Sequence, residues 1–183
     1  MWMVYRCGVG HQRRAGDRPR PRSPLRTAAA AELGIEVETV STPAQALAGA
    51  DLVCTTTAAR EPVVQAPDLA PGVHVNAVGA SFSDHRELSS QAVAGASFFV
   101  DSRESALAES GDLRAPLTEG LVGPDHIRAE LGEVLLGTRP GRREDTEITV
   151  FKSLGPGVQD TMSGFAIAEE AAARGPGRTF ELD

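Results

Sequence analysis

VHVNAVGASFSDHREL, residues 73–88, carries the clearest structural signal in the sequence. Its first six residues have the apolar pattern of a buried strand, and they run directly into Gly79 and a polar turn. In open α/β folds, ligands bind where parallel strands end in such turns, at the carboxyl edge of the sheet. The sequence therefore predicts a ligand-binding edge here, lined by the polar side chains Asn76, Ser81, Ser83, Asp84, His85 and Arg86.

Strand and helix patterns alternate on both sides of this stretch. We expect strands at residues 35–40, 51–57, 73–78, 97–101 and 147–152. We expect helices at residues 24–33, 44–50, 87–93, 104–110, 125–136 and 157–174, with an irregular crossover at 60–71 and a loop at 113–124. Short strands that alternate with helices indicate βαβ units and a parallel sheet. The predicted fold class is therefore α/β, a doubly wound Rossmann-like parallel sheet.

Length and composition limit the class of protein. The chain has 183 residues, of which 41% are hydrophobic, enough for one domain with a real core. It has no apolar run as long as a membrane span and no secretory signal, so we expect no membrane partner and a cytoplasmic location. Its two cysteines, Cys7 and Cys54, form no metal-binding pattern, so no metal is expected, and Cys54 is expected to be buried in its strand.

The N-terminal part differs from the rest of the chain in charge. Residues 1–26 hold seven arginines and one aspartate, whereas the remainder holds eleven basic and twenty-four acidic residues. A basic arm can bind nucleic acid, but this one has several prolines and no interleaved aromatic residues, so we expect no nucleic-acid partner. Within it, GVGHQ is similar to a glycine-rich phosphate loop, and MWMVYRC before it could form a short strand. We expect residues 1–22 to be an irregular basic arm or a damaged dinucleotide loop.

Four segments together resemble the ornithine cyclodeaminase/mu-crystallin family. They are ADLVCTTTAAREPVV (50–64), PGVHVNAVGASFSDHREL (71–88), FVDSRESALAESGDL (99–113) and AELGEVLLGTRPGR…EITVFKSLG (129–155). The resemblance implies a Rossmann-like domain at residues 23–152 that binds NAD or NADP, and a small amino or imino acid as substrate. It also implies that the family's substrate and dimerisation domain, which precedes the Rossmann domain, is absent. The predicted fold is thus truncated at its N-terminal part, which leaves the family's homodimer doubtful here.

The same resemblance assigns residues to the cofactor. They are Gly8, Gly10, Gln12, Thr57, Val75, Asn76, Ala77, Val78, His85 and Ser153. By their own pattern, Thr57 is an ordinary strand threonine that caps a turn, and residues 75–78 are core. Lys152, the only lysine, precedes Ser153 in a turn that the resemblance brings near the cofactor. By its own pattern, this lysine is a solvated charge at the end of a strand.

Ser81 is the candidate catalytic residue. In the family's cyclodeaminases this position is an aspartate that donates or accepts a proton, which a serine cannot do near neutral pH without an activating base. The resemblance therefore favours the reductase and dehydrogenase branch, which acts on ketimines or pyrroline-2-carboxylate, with Ser81 inactive as an acid or base. Asp84 or His85 could supply the proton instead. Capping of the following helix is the stronger interpretation for both residues.

The leading hypothesis is an NAD(P)-dependent oxidoreductase of amino and imino acid metabolism. We expect little or no activity from this chain alone, because the groups that clamp the substrate carboxylate are missing. The alternatives are a catalytically dead dinucleotide- or small-ligand-binding module, an ornithine cyclodeaminase that converts ornithine to proline plus ammonia, and a pseudogene product. In the family, residues 153–183 pack on the missing domain. We therefore expect an unpaired apolar face on helix 157–174 and a chain prone to aggregate.

Overall fold

The computed structural model describes residues 2–5, 34 and 37–175, and for residues 2–5 it describes only the backbone. A five-stranded parallel sheet forms its centre. In spatial order the strands are β3 (Leu52–Thr55), β4 (His74–Ala77), β7 (Thr149–Lys152), β5 (Ser97–Val100) and β6 (Ile127–Glu130). All neighbouring pairs are parallel, which confirms the α/β class and the parallel sheet. Because β7 lies between β4 and β5, the carboxyl ends of β4 and β7 are adjacent.

Six helices accompany these strands in the described residues. They are α1 (Pro43–Leu47), α2 (Ser90–Ala94), α3 (Arg103–Glu109), α4 (Gly111–Thr118), α5 (Leu131–Leu135) and α6 (Gly157–Arg174). Four of them begin after a hydroxyl residue that accepts a backbone N–H from the first turn, a preferred N-cap: Thr42, Ser89, Ser102 and Ser110. The cap at Ser89 starts α2 three residues later than expected. Glu87 consequently lies in the loop before α2, where its side chain is free to bond elsewhere.

A second, separate sheet has two strands. β1 (Trp2–Tyr5) pairs with β2 (Val37–Val40), and the pair is antiparallel. The strand expected within MWMVYRC is therefore confirmed. The strand expected at 35–40 also forms, but its place in the parallel sheet was a wrong prediction. The helix expected at 24–33 lies outside the described residues.

Two predictions between residues 111 and 136 were wrong. The expected loop at 113–124 contains α4, which accommodates Pro116 within it. The expected helix at 125–136 is a 3₁₀ turn, the strand β6 and the short helix α5. In β6 the buried Ile127 and Ala129 alternate with more exposed neighbours. A segment of only four residues is too short for this period of two to be told from one turn of a helix. Pairing with β5 is what makes the segment a strand.

The core lies along β3, β4, β5 and β7 and the helices that pack on them. Its fully buried side chains include Val75, Phe98, Val100, Leu113 and Val150. Cys54 is exposed, so its predicted burial was wrong, because its side chain lies on the opposite face of β3 from the buried Val53 and Thr55. In the described part of the chain, no helix is long and apolar enough to cross a membrane.

Candidate functional site

The carboxyl edge of the sheet beside β3, β4 and β7 collects most of the polar residues of interest. Thr55 of β3, Ala77 of β4 and Lys152 of β7 are register partners across three neighbouring strands. The chain leaves β4 through Val78, Gly79 and Ala80. This turn is joined to β3, since Val78 N and Gly79 N both donate to Thr55 O, and Ala80 N donates to Thr57 O.

Glu87 connects the ends of β3 to the loop before α2. Its carboxylate accepts a hydrogen bond from Thr55 Oγ1 at 2.6 Å and another from Thr57 N at 2.5 Å. The side chain is 0% exposed, so these bonds replace the water that a carboxylate otherwise needs. Glu87 is thus a structural clamp, and the sequence analysis did not single it out.

Asp112 and Lys152 form a buried ion pair next to this clamp. Lys152 Nζ lies 3.3 Å from Asp112 Oδ2, and both side chains are 0% exposed. Asp112 Oδ1 accepts from Glu87 N at 2.7 Å and from Leu88 N at 2.9 Å. Burial raises the pKa of Asp112 above its ordinary value, while the Lys152 ammonium and the two N–H groups act against that rise. The interpretation of Lys152 as a solvated charge was wrong.

The turn after β4 is tightly constrained. Lys152 Nζ donates to Gly79 O and, at 3.4 Å, to Ala80 O. A side chain at Gly79 would overlap the backbone of Thr57 and meet Glu87 Oε1. Ala80 is buried and has φ 53°, in the left-handed region that non-glycine residues rarely adopt. The packing around this turn therefore requires glycine at position 79 and overrides the backbone preference of Ala80.

The candidate catalytic residue lies just beyond this turn. Ser81 is exposed, as are Phe82, Ser83 and Val78. His85 Nδ1 lies 2.8 Å from Asp84 Oδ1, and the imidazole ring lies 5.4 Å from the Phe82 ring. Asp84 also pairs with Arg60. Neither Asp84 nor His85 caps α2, which begins at Ser89, so that interpretation was wrong.

The predicted cofactor residues on and after β4 divide between the two faces of the sheet. Val75 and Ala77 are fully buried, and Val78 is half-exposed. Asn76 lies on the other face, where its Oδ1 is 3.2 Å from His74 Nε2. Burial chiefly lowers the pKa of His74, and the Arg142 guanidinium adds to this effect while the hydrogen bond to Asn76 opposes it. Side chains of Val75 and Ala77 thus support the edge from within the core.

The remaining predicted cofactor residues occupy three places. Thr57 lies two residues beyond the end of β3, and its Oγ1 accepts from Ala59 N at 3.2 Å, as expected of a turn cap. Ser153 Oγ donates to Asp101 Oδ2, which also accepts from Leu154 N and Gly155 N and so fixes the turn after β7. Gly8, Gly10 and Gln12 lie outside the described residues. Within those that are described, no cluster of His, Cys, Asp or Glu could hold a metal ion.

Comparison with known proteins finds relatives that are named as reductases. The chain is 44% identical over 139 residues to the Delta(1)-pyrroline-2-carboxylate reductase of Bacillus cereus, covering 75% of this chain and 42% of that protein. It is 46% identical over 128 residues to the ketimine reductase mu-crystallin of Mus musculus, covering 70% and 38%. The solved Delta(1)-pyrroline-2-carboxylate reductase of Thermococcus litoralis, in complex with NADH and L-proline, superimposes with a TM-score of 0.81 and 38% identity, covering 85% of this chain and 48% of that one.

These likenesses extend over most of this chain but less than half of each of these relatives. The structural match confirms a Rossmann-like domain of the kind found in NAD-bound enzymes. The profile of the ornithine cyclodeaminase/mu-crystallin family matches residues 14–175, well over half of the sequence. The chain therefore belongs to the ornithine cyclodeaminase/mu-crystallin family.

Proposed function

We propose that this chain supplies the NAD- or NADP-binding half of a reductase that acts on a cyclic imino acid. The observation that carries the proposal is the likeness, over 85% of the chain, to a pyrroline-2-carboxylate reductase that holds NADH and L-proline. Both curated relatives described above are reductases as well. We assign residues 23–152 to the dinucleotide-binding domain and residues 153–183 to a segment that packs against a substrate domain.

The residues at the carboxyl edge fit the nicotinamide half of a dinucleotide. The side chains presented there include the hydroxyls of Thr57, Ser81 and Ser153 and the half-exposed apolar Val78. The two carboxylates beside β3 and β4, Glu87 and Asp112, are fully buried. The edge therefore offers neutral hydroxyls to ribose and phosphate groups, and its exposed carboxylate, Asp84, is paired with Arg60. We propose Thr57, Asn76, Val78, His85 and Ser153 as the described cofactor contacts, with Val75 and Ala77 acting through the backbone.

The chemistry at Ser81 favours reduction over deamination. A bound reduced nicotinamide supplies the hydride that reduces an imine. Reduction of a protonated imine requires no carboxylate at position 81, whereas the cyclodeaminase reaction uses one there. Ser81 is exposed and its hydroxyl lacks a basic partner in the described residues, so it serves in orientation and not in proton transfer. Val78 contributes an apolar surface that excludes water from one side of the ring.

Binding without catalysis is the second candidate function. The cations near the described edge are already paired: Lys152 with Asp112, Arg60 with Asp84, and Arg86 with Glu119. None is left to hold a substrate carboxylate. We therefore expect this chain by itself to bind a dinucleotide and to turn over substrate only when a substrate domain is supplied.

The proposal is tested by titrating NADH and NADPH against the purified chain, with nicotinamide fluorescence as the readout. We expect saturable binding, and loss of it in Val78→Asp, which places a charge beside the nicotinamide. Leu52→Asp is the matched control, since Leu52 is an apolar residue of comparable exposure, 57% against 48% for Val78, but lies at the amino end of β3. Failure of both dinucleotides to bind, or equal loss in both variants, would contradict the proposal.

Turnover separates the candidate activities. NADH oxidation is followed with Δ1-pyrroline-2-carboxylate, and ammonia release is followed with ornithine. Each assay is run with the chain alone and after addition of the N-terminal half of a pyrroline-2-carboxylate reductase. Imine reduction in the complemented mixture supports the reductase. Ammonia release from ornithine would instead establish a cyclodeaminase, and binding without either reaction would favour the binding module.

A further inference from the structure

Three ionisable side chains, Glu87, Asp112 and Lys152, are buried beneath the carboxyl edge; the last two form an ion pair, and the backbone N–H of Glu87 bonds to Asp112. All three are 0% exposed, so none can touch a ligand bound outside the edge. A buried charge is costly unless it is paired and hydrogen-bonded. Asp112 is paired with Lys152 through Oδ2, which makes no hydrogen bond within the described residues, while its Oδ1 accepts from the backbone N–H groups of Glu87 and Leu88.

Lys152 acts on the turn that carries the exposed site residues. Lys152 Nζ donates to Gly79 O and Ala80 O, the carbonyls of the two residues between Val78 and Ser81. On the other side, the N–H groups of the same two residues donate to Thr55 O and Thr57 O of the β3 end. The carbonyls of this turn are thus held by Lys152 and its N–H groups by the end of β3. These bonds keep Ala80 in the left-handed region.

We propose that Lys152 is a positioning residue for dinucleotide binding, and that Asp112 supplies the counter-charge that stabilises its buried ammonium. The ammonium fixes the peptide groups of Gly79 and Ala80, and these fix where Val78 and Ser81 stand at the edge. This inference rests on the proposed function, since it concerns the same cofactor site. A buried salt bridge often does not increase the stability of a protein. The inference therefore gives the buried pair a role other than stability.

A set of three variants separates positioning from stability. Lys152→Met removes the donor to the turn and leaves Asp112 without its cation. Asp112→Asn/Lys152→Met removes both charges, so no unpaired charge stays buried, while the introduced amide keeps an oxygen for the N–H groups of Glu87 and Leu88. Asp112→Asn alone keeps Lys152 on the two carbonyls. The double variant should therefore recover much of the melting temperature lost in Lys152→Met, but not the bonds to the turn.

The measurement is the Kd for NADH, taken at a temperature where every variant is folded by circular dichroism. We expect the Kd to rise about tenfold in Lys152→Met and in the double variant, the effect of losing one charge-assisted hydrogen bond. We expect the Kd to change about twofold or less in Asp112→Asn, because loss of the carboxylate leaves the Lys152 donor in place. A double variant that binds NADH as the wild type does would overturn the inference.

Amide hydrogen exchange provides a readout that does not depend on the cofactor. Peptides spanning residues 77–82 should exchange faster in both variants that lack Lys152, while those spanning 90–94 should not change. If the wild-type chain binds neither NADH nor NADPH, the proposed function fails, and faster exchange in the turn would still support Lys152 as the group that fixes it. Unchanged exchange in the turn overturns the inference whatever the binding result.

Discussion

The carboxyl edge and helix α6 are separated by only four residues, yet their side chains are distributed in opposite ways. At the edge, three ionisable side chains are buried and bonded within the chain: Glu87 to Thr55, and Asp112 to Lys152. On α6, no residue is buried, and apolar side chains are exposed: Val158 at 65%, Met162 at 63%, Phe165 at 64% and Ile167 at 69%.

The two regions differ in what stabilises them. The turn after β4 is held by contacts with β3, β7 and α4, all of which lie within the described residues. The apolar side chains of α6 have no partner among those residues, so burial adds little to the stability of this helix. An exposed apolar surface of this kind marks a site of association. The same substitution should therefore have sharply different effects in the two regions.

The largest contrast is expected between two phenylalanines. Phe98→Ala in β5 removes a side chain that is 0% exposed and leaves a cavity, which should lower the free energy of unfolding by about 3–5 kcal/mol. Phe165→Ala on α6 should change it by less than about 0.5 kcal/mol, because that side chain is already in solvent. Urea denaturation measures both values. Phe165→Ala should also reduce self-association in light scattering, and equal destabilisation by both variants would break the comparison.

The next contrast is expected between two glycines. Gly79→Ala places a Cβ against the backbone of Thr57, where the atoms cannot move freely, and should cost about 1–3 kcal/mol. Gly164→Ala in the middle of α6 meets nothing within 4 Å and should stabilise the helix by roughly 0.5–1 kcal/mol. The melting temperatures should thus shift in opposite directions. A neutral Gly79→Ala would show that the turn is looser than its contacts indicate.

The smallest effect is expected from pH and concerns His74 on β4. Its pKa lies below the ordinary value in the folded chain, so folding disfavours its protonated form. The stabilising contribution is therefore complete above the unfolded pKa of about 6.5 and is lost as pH falls from there through the folded value. The urea midpoint should fall over that range in the wild type and less in His74→Gln. Variants on α6, which contains no histidine, should keep the wild-type dependence.

The sequence predicted the features that local patterns and turn residues encode. It placed the central strand before Gly79 and the helix α6 within a residue or two of where they lie. The prediction was wrong where pairing between strands determines the secondary structure. The four residues of β6, for example, form a strand because β5 lies beside them. The prediction was also wrong for Lys152 and Cys54, because burial depends on which face of the sheet is covered and not on the residue type.

Local sequence patterns were sufficient to predict the fold class, the family and the edge at Val73–Leu88 where a ligand is expected, because strand periodicity and a glycine turn are local signals. Packing of the strands and helices is what brings the Lys152 ammonium to the Asp112 carboxylate, and that carboxylate to the backbone N–H of Glu87. These residues are 25 to 65 positions apart in the chain, and nothing in their local sequence pairs them. Charged side chains enter a protein interior only when partners are already in place, and those partners are set by the packing of strands and helices.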